Sequence, residues 1–150
     1  MEEQRFNEIM QFAIEREIEA AEFYNKLHDK VKLGGSRKVL RDLEMMELGH
    51  KKILEGFRMG DSVEYKPIQI QNLKISDYMV EITPHEELSY QEALILAIKR
   101  EEGANKLYVA LANESDEESV KNIFMKLADE EARHKLQLET IYDEEILIEN

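Results

Sequence analysis

Apolar residues recur along much of the chain at alternating steps of four and three, the spacing that keeps one face of an α-helix against a core. The first such run is Phe6, Met10, Ala13, Glu17, Ala20, Tyr24, Leu27 and Val31. A second holds Leu40, Leu43, Glu47, His50, Leu54 and Phe57, and a third Tyr90, Leu94, Ala97, Glu101, Ala104, Tyr108 and Leu111. The fourth is Phe124, Leu127, Glu131, His134, Leu138 and Ile141. Four amphipathic helices are therefore expected, over Glu3–Leu33, Ser36–Met59, Tyr90–Asn113 and Asp116–Glu144.

The breaks between the stripes set the topology. Gly34-Gly35 interrupts the pattern, Ser36 can cap the next helix, and Gly60 sits where that helix should stop. Ser89 with Glu92, and Ser115 with Glu118, both have capping-box spacing. Residues 61–88 hold both prolines, Pro67 and Pro84, with a short helix expected near Ser76–Glu81. Two short turns flanking one long connection predict an all-α fold, an antiparallel four-helix bundle with a long crossover between helices 2 and 3. That crossover would join parallel neighbours, as in ferritin-like bundles. The 150 residues are expected to form one domain: a helical hairpin over 1–60, the crossover over 61–88 and a second hairpin over 89–145.

The two hairpins repeat each other. The offsets 101 − 17, 131 − 47 and 134 − 50 all equal 84, as do 108 − 24 for the tyrosines and 97 − 13 for the alanines. Ala-Ile-x-Arg-Glu occurs at both 13–17 and 97–101. Prolines in the crossover break any continuous heptad register, so duplication of a hairpin explains the offset.

Six polar residues interrupt the apolar stripes: Glu17, Glu47, His50, Glu101, Glu131 and His134. Burying an ionised carboxylate without a partner costs several kcal/mol. The basic residues do not lie on these stripes, whereas two divalent cations would balance the four glutamates. At about 1.5 Å of rise per residue, Glu17 and Glu101 fall at the same height as the Glu-x-x-His pairs on the neighbouring helices, so all six can meet.

Composition narrows the chemistry further. Twenty basic against 33 acidic residues give a net charge of −13, which disfavours nucleic acid and anionic membrane surfaces as partners. The absence of cysteine excludes thiolate chemistry and cysteine-ligated metal centres. No apolar stretch approaches the roughly 20 residues that span a bilayer, and the acidic start lacks the features of a signal peptide. A cytoplasmic location is expected.

Through AIEREIEAAEFY, LEMMELGHKKIL, AIKREEGANKLY and LADEEARHKLQL, the sequence resembles the ferritin-like di-iron carboxylate superfamily, and most closely its rubrerythrin branch. The resemblance implies two iron ions, with manganese or zinc as substitutes. Glu47 and Glu131 would bridge the metals, Glu17 and His50 would complete one site, and Glu101 and His134 the other. It further implies reduction of hydrogen peroxide or dioxygen with an external electron donor, a ferroxidase role as the alternative, and a homodimer.

Departures from the family pattern are specific. Rubrerythrins usually carry an extra Glu on the third helix where this chain has Ala104, which implies a symmetrical six-ligand site closer to a bacterioferritin ferroxidase centre. They also carry a four-cysteine iron site that this chain cannot build. A bacterioferritin would have a haem-ligating Met where Leu48 stands. Tyr24 and Tyr108 are expected as core tyrosines, with hydrogen bonding to the ligand carboxylates as the other option. Glu130 could orient His50, a role that its counterpart Met46 cannot fill for His134. His28 and His85 are expected at the surface or in the crossover, and Met45 and Met46 in packing.

Overall fold

The computed structural model describes residues 2–31, 34–57 and 89–147. They form four long α-helices: α1 (Glu2–His28), α2 (Gly34–Phe57), α3 (Tyr90–Asn113) and α4 (Glu118–Tyr142), the last running into a π-helical turn over Asp143–Leu147. The all-α bundle expected from the stripes is present. The crossover, its short helix near Ser76–Glu81, Gly60 and His85 lie outside the described residues.

Two apolar clusters hold the helices together. In one, Phe6, Ile9 and Met10 from the start of α1 meet Leu54 and Phe57 from the end of α2, Leu107 and Leu111 from the end of α3, and Phe124 and Leu127 from the start of α4. In the other, Tyr24 and Leu27 meet Leu40 and Leu43, Ala93 and Leu94, and Leu138 and Ile141. These meetings make α1/α2 and α3/α4 antiparallel hairpins. They also show α2 and α3 running in the same direction, but diagonally across the bundle, because α1 packs on α3 and α2 on α4. Full burial of each large side chain contributes about 1.5–3 kcal/mol, so both ends of the bundle are firmly closed.

Helix ends depart from expectation for local reasons. Helix α1 stops at His28, not Leu33: Asp29 and Lys30 form a turn in which Lys30 N–H donates to Leu27 O at 2.9 Å. Val31 still reaches the core, and Arg37 Nε donates to its carbonyl at 2.9 Å. Helix α2 begins at Gly34, so Ser36 is a buried residue of its first turn and not the cap. The Ser89–Glu92 capping box forms with both of its bonds. The one expected at Ser115–Glu118 does not, because Ser115 N–H closes the end of α3 on Ala112 O at 3.2 Å. Helix α4 then starts at Glu118 with Glu117 before it and no side-chain cap.

Candidate metal centre

A polar layer separates the two apolar clusters. Each helix passes through it once, and the stripe that buries its neighbours in the core carries Glu17 on α1, Glu47 and His50 on α2, Glu101 on α3, and Glu131 and His134 on α4 into it. All six are buried, none more than 3% exposed. Their donor atoms fall into two groups, Glu17, Glu47, His50 and Glu131 in one and Glu47, Glu101, Glu131 and His134 in the other, each with its atoms within 4.8 Å of one another. Glu47 and Glu131 belong to both groups.

Both imidazoles turn Nδ1 toward the carboxylates. His50 Nδ1 lies 2.6 Å from Glu131 Oε1 and 3.6 Å from Glu17 Oε1. His134 Nδ1 lies 2.7 Å from Glu47 Oε1, 3.5 Å from Glu101 Oε2 and 3.8 Å from Glu131 Oε2. The two rings are nearly parallel, with centroids 5.8 Å apart.

A pair of divalent cations fits this arrangement. Glu17 Oε2 and Glu101 Oε2 are buried without a hydrogen-bond partner, one in each group, although buried carboxylate oxygens are normally satisfied. Among the described residues, the four carboxylates form ion pairs with His50 and His134 and with no lysine or arginine. Two cations would take up the orphaned oxygens and balance the four negative charges. Burial, and then the neighbouring carboxylates, hold Glu47 and Glu131 well above the usual carboxylate range. Their affinity for protons reflects the same crowded negative charge that favours a metal.

The surrounding residues correct part of the sequence reading. Tyr24 and Tyr108 are fully buried, but they are more than core tyrosines: Tyr24 Oη donates to Glu101 Oε1 and Tyr108 Oη to Glu17 Oε1. Each bond crosses from one hairpin to the other. Burial and the nearby carboxylates raise both phenols well above their ordinary pKa, keeping them protonated as donors. Glu130 Oε2 lies 2.5 Å from His50 Nε2. His28 pairs with Asp29 at the surface, and Met45 and Met46, expected to pack, are exposed.

Residues 92–148 match the Rubrerythrin family model. That segment of the chain is similar to rubrerythrins. The matched part contains Glu101, Glu131 and His134, while Glu17, Glu47 and His50 lie in the preceding hairpin. A solved structure of a hypothetical protein from Pyrococcus furiosus is similar to it, with 25% identity and a TM-score of 0.70 over 92% of this chain and 88% of the other. No curated protein matches the chain.

A cleft of about 80 Å³ between α1 and α3 reaches the candidate metal site from one side. Phe12, Ala13, Ala20, Ala104 and Leu107 form apolar walls, and Glu17, Glu47, Glu101 and Glu131 lie at its inner end. Arg16 and Arg100 also line it. They do not neutralise the glutamates: Arg16 pairs with Glu19 at 2.8 Å and lies over Phe12, and Arg100 lies over Phe23. No described helix is long and apolar enough to cross a membrane.

Proposed function

We propose that this protein holds two iron ions between its hairpins and reduces hydrogen peroxide or dioxygen there, with electrons from an external donor. The observation that carries the reading is the pair of buried Glu/His groups sharing Glu47 and Glu131, each with an unpartnered carboxylate oxygen. Glu17 and His50 would complete one iron site, Glu101 and His134 the other, and the shared glutamates would bridge. Donors rich in carboxylate with one imidazole per ion suit iron or manganese better than copper, and zinc remains a chemically compatible substitute.

When bound, two ferrous ions would supply the two electrons that, with two protons, reduce one hydrogen peroxide to two waters. The protein's residues provide the setting. The cleft between α1 and α3 has room for a small oxidant such as hydrogen peroxide or dioxygen, and its walls are largely apolar. Tyr24 and Tyr108 fix Glu101 and Glu17 from behind, leaving Oε2 of each free to bind.

A ferroxidase role is supported by the symmetry of the six residues, with Ala104 in place of a seventh carboxylate beside the site. Turnover separates the two. Protein loaded with two irons and supplied with peroxide and a chemical reductant should complete many cycles while retaining its metal. Oxidation that continues only while Fe(II) is added, with uptake beyond two ions per chain, would replace the peroxidase reading with iron oxidation.

A further inference from the structure

The six candidate ligands obey the 84-residue repeat, but the residues behind the two histidines do not. His50 Nε2, the ring nitrogen turned away from the carboxylate cluster, lies 2.5 Å from Glu130 Oε2, and the Glu130 side chain is only 13% exposed. The equivalent of Glu130 in the first hairpin, 84 residues earlier, is Met46. A thioether is a weak acceptor and carries no charge. Among the described residues, His134 makes its hydrogen bond and ion pairs through Nδ1, with none through Nε2.

We propose that this difference makes the two metal positions unequal, with the position served by His50 filled first and Glu130 as the positioning residue responsible. The inference rests on the metal-centre reading above. A carboxylate accepting the Nε2–H keeps the proton on that nitrogen, leaves the Nδ1 lone pair facing the metal, and makes the imidazole a stronger donor. Among the described residues no carboxylate serves His134 Nε2 in this way, so its tautomer and ring orientation are set there without a charged acceptor. Partners of this kind typically alter metal affinity by about 10–100-fold, enough for the first ion to occupy one position almost exclusively.

Stepwise affinities alone cannot test this, because repulsion between two cations also weakens the second step of a symmetrical site. The partition of a single ion can. Zn(II) is added at one equivalent to metal-free protein labelled with ¹⁵N in its histidines, and the ring signals of His50 and His134 are followed by NMR. The expected result is His50 metal-bound over His134 by about tenfold or more. Glu130→Met, which makes the hairpins alike at this position, should bring the ratio close to one. Glu130→Gln, retaining an acceptor without charge, should fall between. A Met46→Glu, Glu130→Met double variant should reverse the preference. Circular dichroism on each variant checks that the bundle persists.

Equal occupancy of the two histidines in the unaltered protein, or a ratio unmoved by Glu130→Met, would overturn the inference while leaving the two-ion centre intact. If neither histidine responds even at two equivalents, the metal-centre reading itself fails, and this inference fails with it.

Discussion

Tyr24 on α1 donates its phenolic hydrogen to Glu101 on α3, and Tyr108 on α3 returns the equivalent bond to Glu17 on α1. The two bonds are related by the same 84-residue offset as the glutamates. Each hairpin thus secures the other's carboxylate, so the halves are tied together at the polar layer as well as by the apolar clusters above and below it.

Replacing either tyrosine by Phe removes a bond to a charged acceptor and leaves a buried carboxylate oxygen unpaired. A loss of about 1.5–3 kcal/mol is expected for each variant. For a chain of this size that corresponds to a fall in melting temperature of roughly 3–12 °C. Calorimetry of the two single variants in the metal-loaded state tests it; a change under 1 °C in both would show that the crossed bonds carry no load.

How much of this was legible in the sequence depends on how far each feature reaches. Glu17, Glu47, His50, Glu101, Glu131 and His134 stood out because a polar residue on an apolar stripe is conspicuous, and the structure brings all six together. The tyrosines were less legible. Tyr24 and Tyr108 lie on the same stripes as ordinary core residues, and only the packing of α1 against α3 sets each hydroxyl on the opposite helix's glutamate. Helix ends were the least legible, because competing partners decide them: Ser115 has the right spacing to cap α4, but its backbone is engaged in closing α3. The diagonal placement of α2 and α3 depends likewise on contacts between hairpins, which stripe spacing within one helix does not encode.

The number of ions follows from the shared glutamates. Two groups of four with Glu47 and Glu131 in common call for two metals per chain. Elemental analysis after anaerobic Fe(II) loading and desalting should return about two irons, and Glu47→Ala should reduce the uptake below one because it removes a donor from both groups. Retention of a single iron by the unaltered protein would contradict the paired arrangement.

Metal removal should change both stability and its dependence on pH. At a free-metal concentration 100-fold above Kd, a bound ion adds about 2.7 kcal/mol, so loaded protein is expected to melt roughly 5–10 °C or more above the metal-free form. In the metal-free protein, Glu47 and Glu131 are held above the ordinary carboxylate range, so the folded state binds more protons than the unfolded chain once pH exceeds that ordinary value. Their contribution is fully present at and below the ordinary carboxylate pKa and declines as pH rises toward the raised values. Metal-free protein should therefore lose stability from pH 5 to pH 7, while loaded protein, whose carboxylates are occupied, should lose less. Parallel melting-temperature profiles for the two forms would count against a buried centre.

The choice of oxidant tests the chemistry most directly. Ala104 stands beside the candidate ligands on α3, and the cleft between α1 and α3 can admit either oxidant. Two electrons complete the reduction of peroxide to water but take dioxygen only as far as peroxide, so a two-iron centre finishes the first reaction in one turnover and not the second. On the peroxidase reading, peroxide is expected to oxidise the anaerobic diferrous protein faster than dioxygen at equal concentration in a stopped-flow experiment. His50→Ala and His134→Ala should each slow the step by removing one ion's nitrogen donor. Faster reaction with dioxygen followed by uptake of many further irons would transfer the assignment to iron oxidation, and a fully loaded site inert to both oxidants would exclude a redox role.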